Sequence, residues 1–245
     1  MKLALITDTH FGARNENSAL IKHTTNFFED TFWPYMDSHN IESIIHLGDL
    51  VDKRKSINFL TLSNLRKSFI EPIYDRHIST HVIVGNHDMY YKNTNQVNSV
   101  NELYGETYFI SVHDKTNTHL FDDLKICLVP WICPENEDET FNHLKETDAQ
   151  VVMGHLELNG FTMHRGMVCE HGYNREDFSK FDQVFSGHFH HKNGNGHIEY
   201  LGSPYQLMWS DYDTPRGFHI YDTETREIEF IKNPVNIFER IVYSD

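Results

Sequence analysis

Five short apolar runs in this chain each stop at a residue able to bind a metal ion, and four of them do so through a glycine. Leu3-Ala4-Leu5-Ile6-Thr7 leads into Asp8-Thr9-His10. Ser43-Ile44-Ile45-His46-Leu47 ends in Gly48-Asp49, and His81-Val82-Ile83-Val84 ends in Gly85-Asn86-His87-Asp88. Val151-Val152-Met153 ends in Gly154-His155, and Val184-Phe185-Ser186 ends in Gly187-His188-Phe189-His190. Apolar runs of this length bounded by glycine read as buried strands. In a parallel sheet, ligand sites form beyond the carboxyl ends of the strands, where all five motifs fall. A glycine there lets the chain turn sharply with no Cβ in the way. Residues two apart, as in Asp8-x-His10 and His188-x-His190, project to one side of an extended chain and can serve one region together.

Between these runs the first half of the chain alternates. A helical pattern covers about 18–39, with apolar Leu20, Ile21, Phe27, Phe28, Phe32 and Met36. A second covers about 57–76, with Phe59, Leu60, Leu62, Leu65, Phe69 and Ile73. The stripe from Phe59 to Phe69 reads as core. This βαβαβ order predicts parallel strands with helices packed on the faces. The second half is richer in strands: Leu124 to Val129, the runs at Val151 and Val184, His197 to Leu201, and a closing hairpin of Gly217 to Tyr221 and Ile228 to Ile231. A short helix is predicted over 136–146. The fold class expected is α/β: central mixed β-sheets flanked by helices, a sandwich. The organisation expected is one domain over 1–232 and a tail over 233–245 that begins a further element.

The ligand set of two Asp, one Asn and four His, without Cys, suits Mn²⁺, Fe²⁺ or Zn²⁺ rather than a thiolate-bound structural zinc. Seven side chains are too many for one ion with an open position and suit two ions sharing a carboxylate. Two ions about 3.5–4 Å apart clamp the attacking and leaving oxygens of an in-line phosphoryl displacement. The expected chemistry is hydrolysis of a phosphate ester.

Composition narrows the setting. No stretch approaches the ~18 uninterrupted apolar residues of a membrane span, and the apolar run Leu3 to Ile6 is too short for a signal peptide. Cys127, Cys133 and Cys169 have no regular spacing and read as reduced thiols of a cytoplasmic protein. The formal net charge of −15 argues at first against a nucleic-acid partner. The acids, however, gather around Glu135 to Glu139 and Glu224 to Glu229, while Lys53-Arg54-Lys55 follows directly on the Asp49 motif. An acidic body with a DNA-facing edge fits that distribution. Lys53 and Arg54 are candidate phosphate contacts, and Tyr91 and Lys92, just past His87, are candidates for stacking on or steering a DNA end.

In order and residue type, Asp8-x-His10, Gly48-Asp49, Gly85-Asn86-His87-Asp88, Gly154-His155 and Gly187-His188-x-His190 resemble the five motifs of the calcineurin-like metallophosphoesterases. That resemblance implies one metal held by Asp8, His10, Asp49 and His190, and a second held by Asp49, Asn86, His155 and His188. It also implies that His87 protonates the leaving oxygen, oriented by Asp88. Gly48-Asp49-Leu50-Val51-Asp52, Pro130-Trp131-Ile132, Gly202-Ser203-Pro204 and Arg216-Gly217-Phe218 resemble the SbcD-type nucleases of double-strand-break repair. Gly154 to Phe161, Ser186 to His190 and Asp222 to Thr225 are similar to the recombination endonuclease subunits of T-even-like phages. These likenesses imply Mn²⁺-dependent exonuclease and endonuclease action on DNA in recombination, repair or replication. They also imply a homodimer and a coiled-coil ATPase partner of the SbcC type. The competing expectation is a phosphatase or cyclic-nucleotide phosphodiesterase built on the same site.

There are departures. Archaeal and eukaryotic relatives carry His three residues after the bridging Asp, where this chain has Asp52, so Asp52 reads as a helix cap or as a residue orienting a ligand. Relatives also continue into a DNA-capping domain, which the tail over 233–245 would begin. Among the other histidines, His46, His81 and His113 read as ordinary strand or loop residues, His191 and His197 as flanking a turn, and His164 and His171 as lying in a surface loop with Arg165.

Overall fold

Alternation along the strands decides the architecture. On β1 (Lys2–Ile6), Leu3 and Leu5 enter one apolar cluster while Ala4 and Ile6 enter another. On β2 (Ser43–His46), Ile45 joins the first cluster and Ile44 the second. Both faces are therefore covered, which is why these runs are continuously apolar rather than alternating with polar residues. The computed structural model describes residues 1–164 and 166–243 and contains two facing six-stranded sheets. The first has the order β14-β13-β1-β2-β3-β4, with β3 (Ser79–Ile83), β4 (Ile110–His113), β13 (Gly217–Asp222) and β14 (Ile228–Lys232). Strands β1 to β4 run parallel; on the β1 side β13 adds antiparallel to β1, and β14 antiparallel to β13.

The second sheet has the order β11-β12-β10-β7-β6-β5. Its members are β5 (Asn117–Phe121), β6 (Leu124–Val129), β7 (Val151–His155), β10 (Gln183–Gly187), β11 (Asn193–Gly194) and β12 (Ile198–Tyr200). Between β7 and β10 the chain makes a small hairpin, β8 (Thr162–His164) and β9 (Met167–Val168). Leu3, Leu5, Ile45 and Ile83 of the first sheet meet Ile126, Leu128, Met153 and Phe185 of the second in the layer between them. The outer face of the first sheet carries the long helical segments through Phe28, Phe32, Trp33 and Phe69, and the outer face of the second is covered through Leu144 and Phe178. The result is a mixed-sheet sandwich flanked by helices, as expected.

Each predicted long helix is three segments. Ser18–Phe27 and Trp33–Ser38 are joined by a wider turn over Phe28–Phe32, and Phe59–Leu65 and Glu71–Arg76 by one over Arg66–Ile70. Both wide turns precede a proline, Pro34 or Pro72. Proline has no N–H and crowds the carbonyl four residues back, so the chain bonds one residue further, with Trp33 N–H reaching Phe28 O and Glu71 N–H reaching Arg66 O. The apolar stripe of the second helix is core only from Leu65 onward: Phe59 is 88% exposed and Leu60 57% exposed. Both sit in the first turn, ahead of the stretch that lies on the sheet. After β14 the chain stays attached, because Asn233 N–H donates to Arg216 O and Ile237 and Phe238 N–H donate to Gln206 Oε1. Ser244, Asp245, Arg165 and the side chain of His164 lie outside the described residues. His171 is exposed. The three cysteines are buried and unpaired. Among the described residues no helix is long and apolar enough to cross a membrane.

Several histidines are buried as neutral rings. Burial pushes His23 down to about 4. His113 is pushed down to about 3 by burial and then by His81 and His119, and His219 to about 3 by burial and then by Lys192. In the unfolded chain each takes up a proton near pH ~6.5. The unfolded state therefore binds more protons below that pH, and stability falls as the pH drops from about 6.5 toward the folded values, by up to roughly 1.4 kcal/mol per pH unit for each ring. Denaturant unfolding of metal-free protein at pH 7 and pH 5 measures this. A steep loss is expected, and His23→Gln should make it shallower.

Candidate metal centre

The ends of β1, β2, β3, β7 and β10 meet at one edge of the sandwich, and tight packing there explains the glycines. A Cβ on Gly85 would lie 2.3 Å from both the main-chain N and Oδ1 of Asp49. One on Gly48 would lie 2.4 Å from His155 Nδ1, and Gly48 has a left-handed φ of 96°. Close approach of strand ends is thus a stronger reason for these glycines than the freedom to turn. Asp8, His10, Asp49 and His188 also have positive φ, at 52°, 42°, 55° and 83°. Asp8 and His10 therefore converge through left-handed turns rather than by extended alternation, as the main chain crosses over to bond Asp8 N to Gly48 O and His10 N to Asp49 O. Non-glycine residues in this region are strained, and strain of this kind gathers at functional sites.

The side chains form two joined groups. Ligand atoms of Asp8, His10 and His190 lie within 4.8 Å of one another, and so do those of Asp49, His155 and His188. His10 Nε2 and His190 Nε2 face each other at 3.0 Å. Asn86 Oδ1 stands 3.0 Å from both His155 Nε2 and His188 Nδ1. Asp49 Oδ2 lies between the groups, 3.5 Å from His10 Nε2 and 3.4 Å from His155 Nε2. The ring of His87 lies edge-on to that of His10, with centroids 4.8 Å apart. The backbone N–H of His87 donates to Asp49 Oδ1 at 2.7 Å.

Surrounding groups fix which ring nitrogen faces inward. His155 Nδ1–H donates to Leu47 O at 2.7 Å, leaving Nε2 for the centre. The Asp52 carboxylate is 3.4 Å from His10 Nδ1, and the Asp52 main-chain oxygen is 2.6 Å from His87 Nδ1. One residue therefore orients two imidazoles, leaving Nε2 of each to face the centre. His190 is held from behind by features that the sequence marked without assigning a role. The buried Arg216 Nη1 donates to His190 O and to Ser203 Oγ, while Arg216 Nη2 pairs with Asp211 at 2.7 Å. His191, which flanks the β11–β12 turn, places Nε2 3.2 Å from the same Asp211 carboxylate and so belongs to this support as well. Trp131 packs its ring 4.8 Å from that of His188. His197 Nε2 bonds Phe181 O at 2.7 Å, away from the centre.

Asp88 departs from expectation. Its two oxygens accept the N–H groups of Gly85 and Asp49 at 2.9 Å, Leu50 at 3.0 Å and Val51 at 3.2 Å. It binds backbone and does not orient His87, whose Nδ1 partner is the carbonyl of Asp52. Burial, and then the Asp49 carboxylate, push the Asp88 carboxyl upward. A proton on either oxygen would nevertheless point at an N–H donor, so the ionised form is the one that four donors fit. The candidate DNA contacts also divide. Lys53 Nζ pairs with Glu16 at 2.9 Å, and Arg54 donates to Met89 O and Tyr91 O, so both cations are engaged within the protein. Tyr91 is 52% exposed, and Lys92 is exposed beside it.

Charge decides what the centre fits. Burial disfavours protonating His155, but Asp49 outweighs it and raises His155 to about 9. His10 is likewise raised against burial by Asp52, Asp49 and Asp8. Burial and then His10 push His190 down to about 4. Two buried carboxylates are thus drawing protons onto neighbouring imidazoles. Divalent cations would satisfy the same carboxylates and leave the rings neutral as ligands, and a donor set of oxygen and imidazole accepts such ions.

Residues 1–192 match the model of the calcineurin-like phosphoesterases. The chain belongs to that family and is a phosphoesterase hydrolase of the kind that uses divalent metal ions. It is 35% identical over 243 residues to exonuclease subunit 1 of Enterobacteria phage T4, a match covering 99% of this chain and 71% of that protein. Among solved structures, a dimetal phosphatase from Danio rerio superposes with a TM-score of 0.51 at 11% identity, over 90% of this chain and 91% of that one. An archaeal phosphodiesterase matches with a TM-score of 0.43 at 15% identity, over 95% of this chain and all of the other.

Two substitutions separate packing from ligation. Asp88→Asn places a donor among four N–H groups and should cost about 3 kcal/mol of stability, read as a lower thermal midpoint with metal content falling alongside. Gly85→Ala should displace Asp49, at a cost of roughly 1–3 kcal/mol for overpacking, and reduce bound metal more than it reduces helicity by circular dichroism.

Proposed function

We propose that this protein is a metal-dependent DNA nuclease, cleaving phosphodiester bonds by exonuclease and endonuclease action in recombination, repair or replication. The observation that carries this reading is Asp49 Oδ2 between two donor groups, 3.5 Å from His10 and 3.4 Å from His155. One ion would take Asp8, His10, Asp49 and His190, and the other Asp49, Asn86, His155 and His188, with Mn²⁺ the preferred metal. Bound there, such ions supply positive charge to the phosphate oxygens and acidify water at neutral pH. DNA as substrate rests on the 35% identity to a phage exonuclease subunit.

The protein's own residues do the rest. His87 keeps Nδ1 on the Asp52 carbonyl, so Nε2 is the atom that carries a proton to the departing sugar oxygen. Asp52 positions both His10 and His87. Tyr91 and Lys92 are the free groups beside His87 for receiving a DNA end. Lys53 and Arg54 brace that edge instead, since Arg54 ties the 53–55 segment to the Tyr91 loop. The relative's description as a subunit supports a partner, and an SbcC-type coiled-coil ATPase, with a homodimer of this chain, in the host cytoplasm is the assembly we infer.

The test is end-labelled duplex with Mn²⁺ against p-nitrophenyl phosphate and its bis-ester. Degradation of duplex is expected; cleavage of the small esters with DNA left intact would replace this reading with that of a phosphatase. His87→Asn should keep both metals and lose turnover by about 100-fold or more. Equal loss of metal in that variant would remove His87 from the acid role.

A further inference from the structure

A cavity lies between β13–β14 of one sheet and β10–β12 of the other. His219 pairs with Leu5 across β13 and β1, and Leu5 belongs to the layer between the sheets, so His219 faces inward. It is 2% exposed, and neither ring nitrogen has a hydrogen-bond partner. A buried polar ring with both nitrogens unmatched is costly and calls for a partner that the chain itself does not supply. The ring lines a cavity of about 200 Å³. Phe185, Leu201, Ile228 and Phe230 form its apolar walls, and Lys192 stands at its mouth with Nζ 4.5 Å over the Phe230 ring.

Most of the other polar groups around this cavity are engaged. Gln183 bonds Tyr221 Oη and Arg226 O, His197 bonds Phe181 O, and Glu199 accepts the N–H of Gly196. Among the described residues Lys192 has no carboxylate partner. What the cavity leaves open is therefore one ammonium, one imidazole, the second oxygen of the Glu199 carboxylate as an acceptor for a ring N–H, and aromatic walls. Burial, then Lys192, keeps the imidazole neutral, with one donor and one acceptor. The volume falls below the ~300 Å³ at which pockets for drug-sized ligands begin, so it suits a single ring system.

From these features we propose that this inter-sheet cavity is a second ligand site, separate from the metal centre, for a planar aromatic anion of about nucleobase size. The ring would lie between Phe185 and Phe230, its edge would meet His219, and its anionic group would meet Lys192.

The test is isothermal calorimetry on the metal-loaded full chain, with orotate and indole-3-carboxylate as probes and uracil and indole as their uncharged counterparts. Saturable binding of a carboxylate is expected, at least tenfold tighter than that of its counterpart. Lys192→Met should weaken binding at least tenfold, and His219→Phe, which fills the cavity, should abolish it. Lys192 is on the surface, so Lys192→Met decides the matter should His219→Phe fail to fold. The proposal is overturned if neither carboxylate binds up to millimolar concentration, which would leave the cavity to water. It is equally overturned if Lys192→Met binds the carboxylates as tightly as the parent chain, which would place binding elsewhere, the metal centre included.

Discussion

The strand-end cluster depends on one buried carboxylate that touches no substrate. Asp88 gathers the N–H groups of Gly85, Asp49, Leu50 and Val51, and so clamps the loop after β2 onto the loop after β3. Asp49 sits in that clamp at a φ of 55°, a conformation costing on the order of 1–2 kcal/mol for a residue with a Cβ. Charge-assisted hydrogen bonds from four donors offset the strain. Once its backbone is held, the Asp49 carboxylate points at His10 and His155, and its second oxygen receives the N–H of His87. The positions of the His87 ring and of the Asp49 carboxylate are thereby linked through a few atoms of main chain.

Around this clamp, each imidazole is set by what lies behind it. Leu47 O, the two oxygens of Asp52 and the Arg216–Asp211 pair fix His155, His10, His87 and His190 from outside the cluster. Such outer contacts orient ligands before any ion arrives. They also explain why so much charge is tolerated under so little solvent. Buried carboxylates and rings are unfavourable alone, and they are held together by backbone groups that cannot move away. Protons and divalent cations would compete for the same carboxylates, which would make the site's affinity for metal a function of pH.

Much of this was legible in the sequence, because strand ends carry a local signature. The apolar runs placed β1, β2, β3, β7 and β10, and the first polar residue beyond each run belongs to the cluster. Other features could not be read that way. Strands β4 and β5 are short and carry polar residues such as Ser111, His113, Asn117 and His119, so no apolar run announces them. Asp88 looked like a partner for its neighbour His87, yet adjacency in the chain does not fix where a side chain turns, and three of its four contacts come from a loop 37 to 39 residues away. Lys53 and Arg54 showed a basic run but not the acids and carbonyls that occupy it. Asp211 carried no motif at all. Its role arises only when the segment after β12 folds back against His191 and Arg216.

The central claim is that Asp49 is shared by two cations. It is tested most directly by anomalous scattering from crystals of the Mn²⁺-loaded protein, collected on both sides of the manganese absorption edge. Two peaks about 3.5–4 Å apart, flanking the Asp49 carboxylate, with one toward His10 and His190 and the other toward His155 and His188, are predicted. A single peak, or none within reach of Asp49, would contradict it.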